Sequence, residues 1–147
     1  MKSFTLDGFA KELGNIKSRV PAMMFIAAES IGGAVELTAK AEIGEYQRSD
    51  MGGFEPWAEL KDATKKDRIK KGFTENDPGL RTGQMRDSIE HEVNGMNVAI
   101  GSNDDKLLWF EHGTVKQAPR SVIGLAAHRA EHEIDAINRL TVERIFK

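Results

Sequence analysis

The sequence predicts an α+β fold in which a small antiparallel sheet, a central hairpin over about residues 87–102, packs against a long helix with flanking helices. Three observations predict it. Ile89, His91 and Val93 alternate before an Asn94-Gly95 pair, and Met96, Val98 and Ile100 alternate after it. That is the pattern of two strands joined by a two-residue turn, whose central positions both need positive φ. Upstream, apolar residues at helical spacing run from Pro21 to about Ile43, and a second amphipathic run covers about Leu125 to Phe146. The 147 residues suit one domain, 1–147.

In chain order, residues 2–6 read as a short strand, Asp7-Gly8 as a break, and Phe9, Leu13 and Ile16 as a short amphipathic helix. Pro21 suits the first turn of the long helix. On a wheel of 100° per residue its Met24, Ala28, Ile31 and Val35 share one side, while Phe25, Ile26 and Leu37 lie elsewhere. A helix apolar on several sides is covered by a core or by a partner. Met24, Ala28, Ile31, Gly32, Gly33 and Val35 are therefore candidate subunit contacts. Gly32-Gly33 in mid-helix costs about 1 kcal/mol per glycine relative to alanine, which points either to a close backbone approach or to a kink.

Residues 44–56 are turn-rich, a helix follows from Trp57 to about Lys71, and 72–80 form a second loop. Thr82 caps a short turn leading into the hairpin. One hairpin face is apolar, with Val93 opposite Met96, His91 opposite Val98 and Ile89 opposite Ile100. Residues 106–113 read as an aromatic connection, 119–123 as another strand, and the last helix shows Ala126, Ala127, Ala130, Ile134, Ile137 and Ile145 on its apolar face.

Composition narrows the chemistry. The chain is 39% hydrophobic and 30% charged with a net charge of −2, so any basic surface is local. It has no cysteine, which excludes disulfides, thiolate zinc sites and thiol nucleophiles. The first residues lack the apolar run of a signal peptide, and the stretch Val20–Ala28 is stopped by Glu29, so no membrane is expected. His128 and His132 lie four apart in an H-x-x-E-H pattern, which would suit a metal-dependent hydrolase. Both fall opposite the apolar face, however, and few residues follow to supply a third ligand. Glu111-His112-Gly113 has no nucleophile beside it and reads as a turn. No catalytic residue, metal or other cofactor is expected.

Residues 61–71 carry six basic side chains, Lys61, Lys65, Lys66, Arg68, Lys70 and Lys71, against two acidic ones. They form either a solvated helix or a surface for phosphates, as in a small nucleic-acid-binding module.

Several stretches in order resemble one family: FTLDGFAKEL, FEPWAELKDAT, LRTGQMRDSIEHEV, VAIGS and WFEHGTVKQAPRSVIGL. They are similar to the opening strand and helix, the Trp-x-x-Leu-x-x-x-Thr segment, the Thr-Gly-x-Leu-Arg-x-Ser-Ile motif, the second hairpin strand and the aromatic-Glu-aromatic-Gly-Thr…Pro-Arg motif of the tail-completion, or neck, proteins of long-tailed bacteriophages. That family includes the Mu-like virion morphogenesis proteins. Met85 stands in the usual leucine place, and His112 where an aromatic is common.

The resemblance implies a structural protein of a phage or prophage that completes the tail or joins head to tail. It implies a homo-oligomeric ring, a hexamer, contacting connector and tail proteins, in the virion and in the host cytoplasm during assembly. The basic helix would then offer DNA in the channel a non-specific contact. Thr82, Gly83 and Arg86 would shape the approach to the hairpin, Asn94 and Gly95 its turn, and Gly113, Pro119 and Arg120 the loop beyond.

Overall fold

A computed structural model describes residues 5–147 and shows an α+β fold. Among these residues six helices surround one two-stranded antiparallel sheet: α1 (Leu6–Glu42), α2 (Asp62–Lys70), α3 (Gln84–Asp87), β1 (Ile89–Asn94), β2 (Asn97–Ser102), α4 (Asp105–His112), α5 (Ile123–Arg129) and α6 (Glu131–Phe146).

The two expected N-terminal helices are one. Residues 2–4 of the expected strand lie outside the described residues, Thr5 is the N-cap of α1, and its Oγ1 accepts from the Gly8 N–H at 3.2 Å. Asp7-Gly8 is thus the first turn of a helix, where an acidic side chain complements the positive end of the dipole. Pro21 sits inside α1 on its exposed side, leaving the Lys17 carbonyl without its helical donor. α1 is long and apolar enough to cross a membrane, with a mean hydropathy of 1.4 over its most apolar stretch. Its buried residues nevertheless all lie between Ala27 and Glu42, where β1, β2, α5 and α6 pack on it.

The core gathers Val35 and Ala39 of α1 and Ile43 just after it with Trp57, Met85, Ile89, Leu107, Phe110, Val122 and Ala126. Ile89, His91 and Val93 do line one face of the hairpin, but the register differs from the expected one. Val93 pairs with Val98, His91 with Ile100 and Ile89 with Ser102. The turn is Gly95-Met96: Gly95 has φ 65°, no non-glycine residue among the described residues has positive φ, and Met96 is exposed. Asn94 therefore flanks the turn as a strand residue. Only glycine needs the left-handed conformation in this turn, and two β-branched valines come opposite each other. The partner shift is two residues, so the inward face is unchanged.

Four further boundaries move. Residues 57–61 are not helical, because their backbone bonds elsewhere: Trp57 N–H to the Gln47 carbonyl at 2.8 Å, and Leu60 N–H to Tyr46 Oη at 3.0 Å. The aromatic connection is helix α4, capped by Asp104, whose Oδ1 accepts from Lys106 N–H at 2.9 Å, and closed at Gly113. Residues 119–122 form no strand but lead into α5. The last helix is divided at buried Ala130, so that α5 fills the core with Leu125 and Ala126 while α6 runs along α1.

Candidate assembly surfaces

Two of the stretches that carry the family resemblance, those that hold Trp57 and Arg120, meet in one junction. Trp57 packs edge-on to Phe110 of α4, with ring centroids 5.4 Å apart, and its Nε1 donates to the Ser121 carbonyl at 3.2 Å. Arg120 is buried: its Nε and Nη2 donate to the Ala58 carbonyl at 3.1 and 2.5 Å, and its N–H to the Phe110 carbonyl at 2.7 Å. Burial pushes the Arg120 guanidinium down from its ordinary value. Glu111 accepts from Ser121 Oγ at 2.6 Å and from the N–H groups of Val122 and Ile123 at 2.7 and 3.1 Å. Its carboxylate caps the start of α5, so Glu111 serves this junction while His112 is exposed. Gly113 has φ 73°, and a Cβ there would lie 2.7 Å from both the Gln117 carbonyl oxygen and the Pro119 nitrogen. Thr82 and Gly83 open α3, with Thr82 Oγ1 accepting from Gln84 N–H at 3.4 Å, while Arg86 pairs with Asp87 at 2.8 Å on the surface. Thr82, Gly83 and Gln84, together with Trp109, Phe110 and Arg120, line an open cleft of about 490 Å³.

The candidate subunit contacts are mostly interior. Ala28, Gly32 and Val35 are buried, and Met24, Ile31 and Gly33 are partly covered. Gly32 is a close-approach glycine: a Cβ there would lie 2.8 Å from His91 Cγ and 3.1 Å from Val98 Cγ1. The hairpin, not a neighbouring subunit, takes that space. The apolar residues of α1 that do reach solvent are Leu6, Phe9, Leu13, Phe25, Ile26 and Leu37.

Arg68 does not face outward with the basic cluster. It is 3% exposed, and it donates to the Thr74 carbonyl at 2.6 Å, Thr74 Oγ1 at 3.1 Å and the Leu80 carbonyl at 2.7 Å, pinning the 72–80 loop to α2. Lys65 pairs with Glu59 at 3.0 Å and Lys71 with Asp67 at 2.9 Å. Lys61, Lys66 and Lys70 are exposed and make no ion pair among the described residues. Of the six candidate basic side chains, these three are the ones left exposed and unpaired among the described residues.

His128 and His132 lie on different helices. His128 belongs to α5, its Nδ1 is 2.9 Å from Glu131 Oε1, and its ring covers Gly52, whose Cβ would sit 2.7 Å from Nε2. His128 is therefore partly covered by the 44–56 loop instead of facing water, whereas His132, on α6, is exposed. Among the described residues no group of three His, Cys, Asp or Glu side chains is arranged to hold a metal.

One polar cluster escaped the sequence reading. His91 Nδ1 lies 2.5 Å from Glu36 Oε2 and its Nε2 3.4 Å from Glu29 Oε2, while Lys40 Nζ lies 2.5 Å from Glu36 Oε1. The hydrogen bond to Glu36 raises the His91 pKa, and the bonds from Lys40 and His91 lower that of Glu36. The signal available was Gly32 in mid-helix together with a histidine on the apolar face of a strand. No family model, curated protein or solved structure was found to match the chain.

Proposed function

We propose that the chain is a structural virion-assembly protein of a phage or prophage, completing the tail or joining head to tail as part of a ring. The observation that carries the reading is the convergence of three of its five family-like stretches. Trp57, Glu111, Gly113 and Pro119-Arg120 are scattered along the sequence yet build one junction, and Arg120 of that junction borders one cleft with Thr82-Gly83. Their side chains are spent on caps, carbonyls and ring contacts, a framework's work. That supports an assembly role over catalysis, and the cleft with exposed Trp109 on its rim suits a segment of a connector or tail protein. Inactivating the gene in the phage or prophage that encodes it tests this. The expected result is separate full heads and tails, restored to joined particles by the chain supplied in trans. Normal yields of joined particles would contradict it.

Within the ring, Lys61, Lys66 and Lys70 are the side chains left to meet DNA phosphates without reading sequence. Lys66→Glu with Lys70→Glu is expected to leave folding intact, because exposed charges carry little stability. It should lower infectious particles more than assembled ones. Equal yields would reduce α2 to a solvated face.

A further inference from the structure

Leu6, Phe9, Leu13, Ile16, Val20, Met23 and Ala27 recur at alternating steps of three and four residues, the a and d positions of a heptad. A seam of this period stays on one side of a helix and is closed by another helix lying along it. The fold leaves its outer end open, with Ile16, Val20 and Met23 partly covered and Leu6, Phe9 and Leu13 exposed. No residue of α1 before Ala27 is buried, and Leu6, Phe9 and Leu13 are 88%, 52% and 49% exposed. From Leu6 to Ile26 this is about 30 Å of helix at 1.5 Å per residue. Where the seam reaches Ala27, the hairpin, α5 and α6 begin to cover α1.

We propose that the seam is closed by a second copy of this chain, residues 6–27 of the two chains forming an antiparallel coiled coil about a two-fold axis. The flanking charges identify the occupant. Glu12 and Arg19 both fall at g positions, and in an antiparallel pair g faces g. Glu12 of each chain then meets Arg19 of the other, twice by symmetry. Within one chain these two already reach each other at 3.5 Å on the surface, a contact easily exchanged. A parallel pair would offer Glu12 the Lys17 of its partner, but it would crowd two folded bodies against the same Ala27 end. The antiparallel pair places them at opposite ends, with Leu6 of one arm against Met23 of the other. The inference rests on α1 alone and stands apart from the virion reading.

The cysteine-free chain makes the test direct. Leu6→Cys and Met23→Cys chains, mixed and mildly oxidised, should give a reducible dimer. Leu6→Cys alone should not, since its two copies lie about 25 Å apart by the helical rise. In sedimentation equilibrium the native chain should dimerise, and Leu13→Glu should raise the dissociation constant about a hundredfold or more, with an unchanged circular dichroism spectrum. Glu12→Arg should weaken the pair about two- to fivefold per contact, and adding Arg19→Glu should restore it. A native chain monomeric at every concentration overturns the proposal, and so does a cross-link in Leu6→Cys alone. A monomer that instead binds phosphatidylcholine vesicles through this seam overturns it in favour of a membrane surface.

Discussion

The two halves of α1 have similar apolar content and opposite fates. From Ala27 to Glu42 the helix is roofed by the hairpin, α5 and α6, and Val35 and Ala39 are essentially out of water. From Leu6 to Ile26 nothing is buried. The glycines separate the halves as sharply: Gly32 has the His91 ring against it, whereas a Cβ on Gly14 would meet nothing within 4 Å. Apolar periodicity thus marks where a helix wants cover, and the packing around it decides whether the chain or a partner supplies that cover.

The largest expected effect exploits this contrast. Gly32→Leu drives a side chain into His91 and Val98 and should cost about 3 kcal/mol or more in denaturant unfolding. Gly14→Ala, in open space on the same helix, should add about 0.5–1 kcal/mol. Equal effects at the two positions would erase the distinction between the halves. Glu111→Ala should fall between, at about 1–3 kcal/mol, by stripping the start of α5 of its acceptor. Glu111→Gln should recover part of that loss, and a fully stable Glu111→Ala chain would remove the junction from the account.

The smallest effect is a pH dependence confined to the roofed half. His91 faces Glu36 and Glu29, with Lys40 beyond, and its folded pKa is raised above the usual histidine value of about 6.5. Its contribution is complete below that value and is lost as pH rises through the folded pKa. Glu36 has a lowered pKa, so its contribution is present above the ordinary glutamate range and is lost as pH falls through its folded value. The contact between α1 and the hairpin is therefore strongest in mildly acid solution, between the two. Unfolding midpoints followed from pH 5 to 9 should decline for the native chain and flatten in His91→Gln. A parallel decline in both would assign the dependence elsewhere.

The parts of the fold legible in the sequence were those set by local period. The inward face of the hairpin survived because a two-residue slide preserves alternation, while its register turned on which residue supplies the left-handed conformation. α1 was divided too early because Asp7-Gly8 and Pro21 are also residues a helix tolerates at its first turn and on an exposed side. Arg68 read as one of six surface cations because nothing local announces carbonyls at Thr74 and Leu80. The ion cluster at His91 joins residues 55 apart in sequence, beyond any window of periodicity. The apolar excess of the long helix was visible, but only the packing showed which half lacks cover.

Hydrogen exchange along α1, measured on the native chain at low and high concentration, tests the contrast between its halves most directly. Amides from Ala27 to Glu42 should be strongly protected at both. Those from Leu6 to Ile26 should exchange within the time of helix fraying when dilute, and slow at least about tenfold as the chains pair. Uniform protection of the whole helix in dilute solution, or an N-terminal half that stays fast at high concentration, would contradict the account.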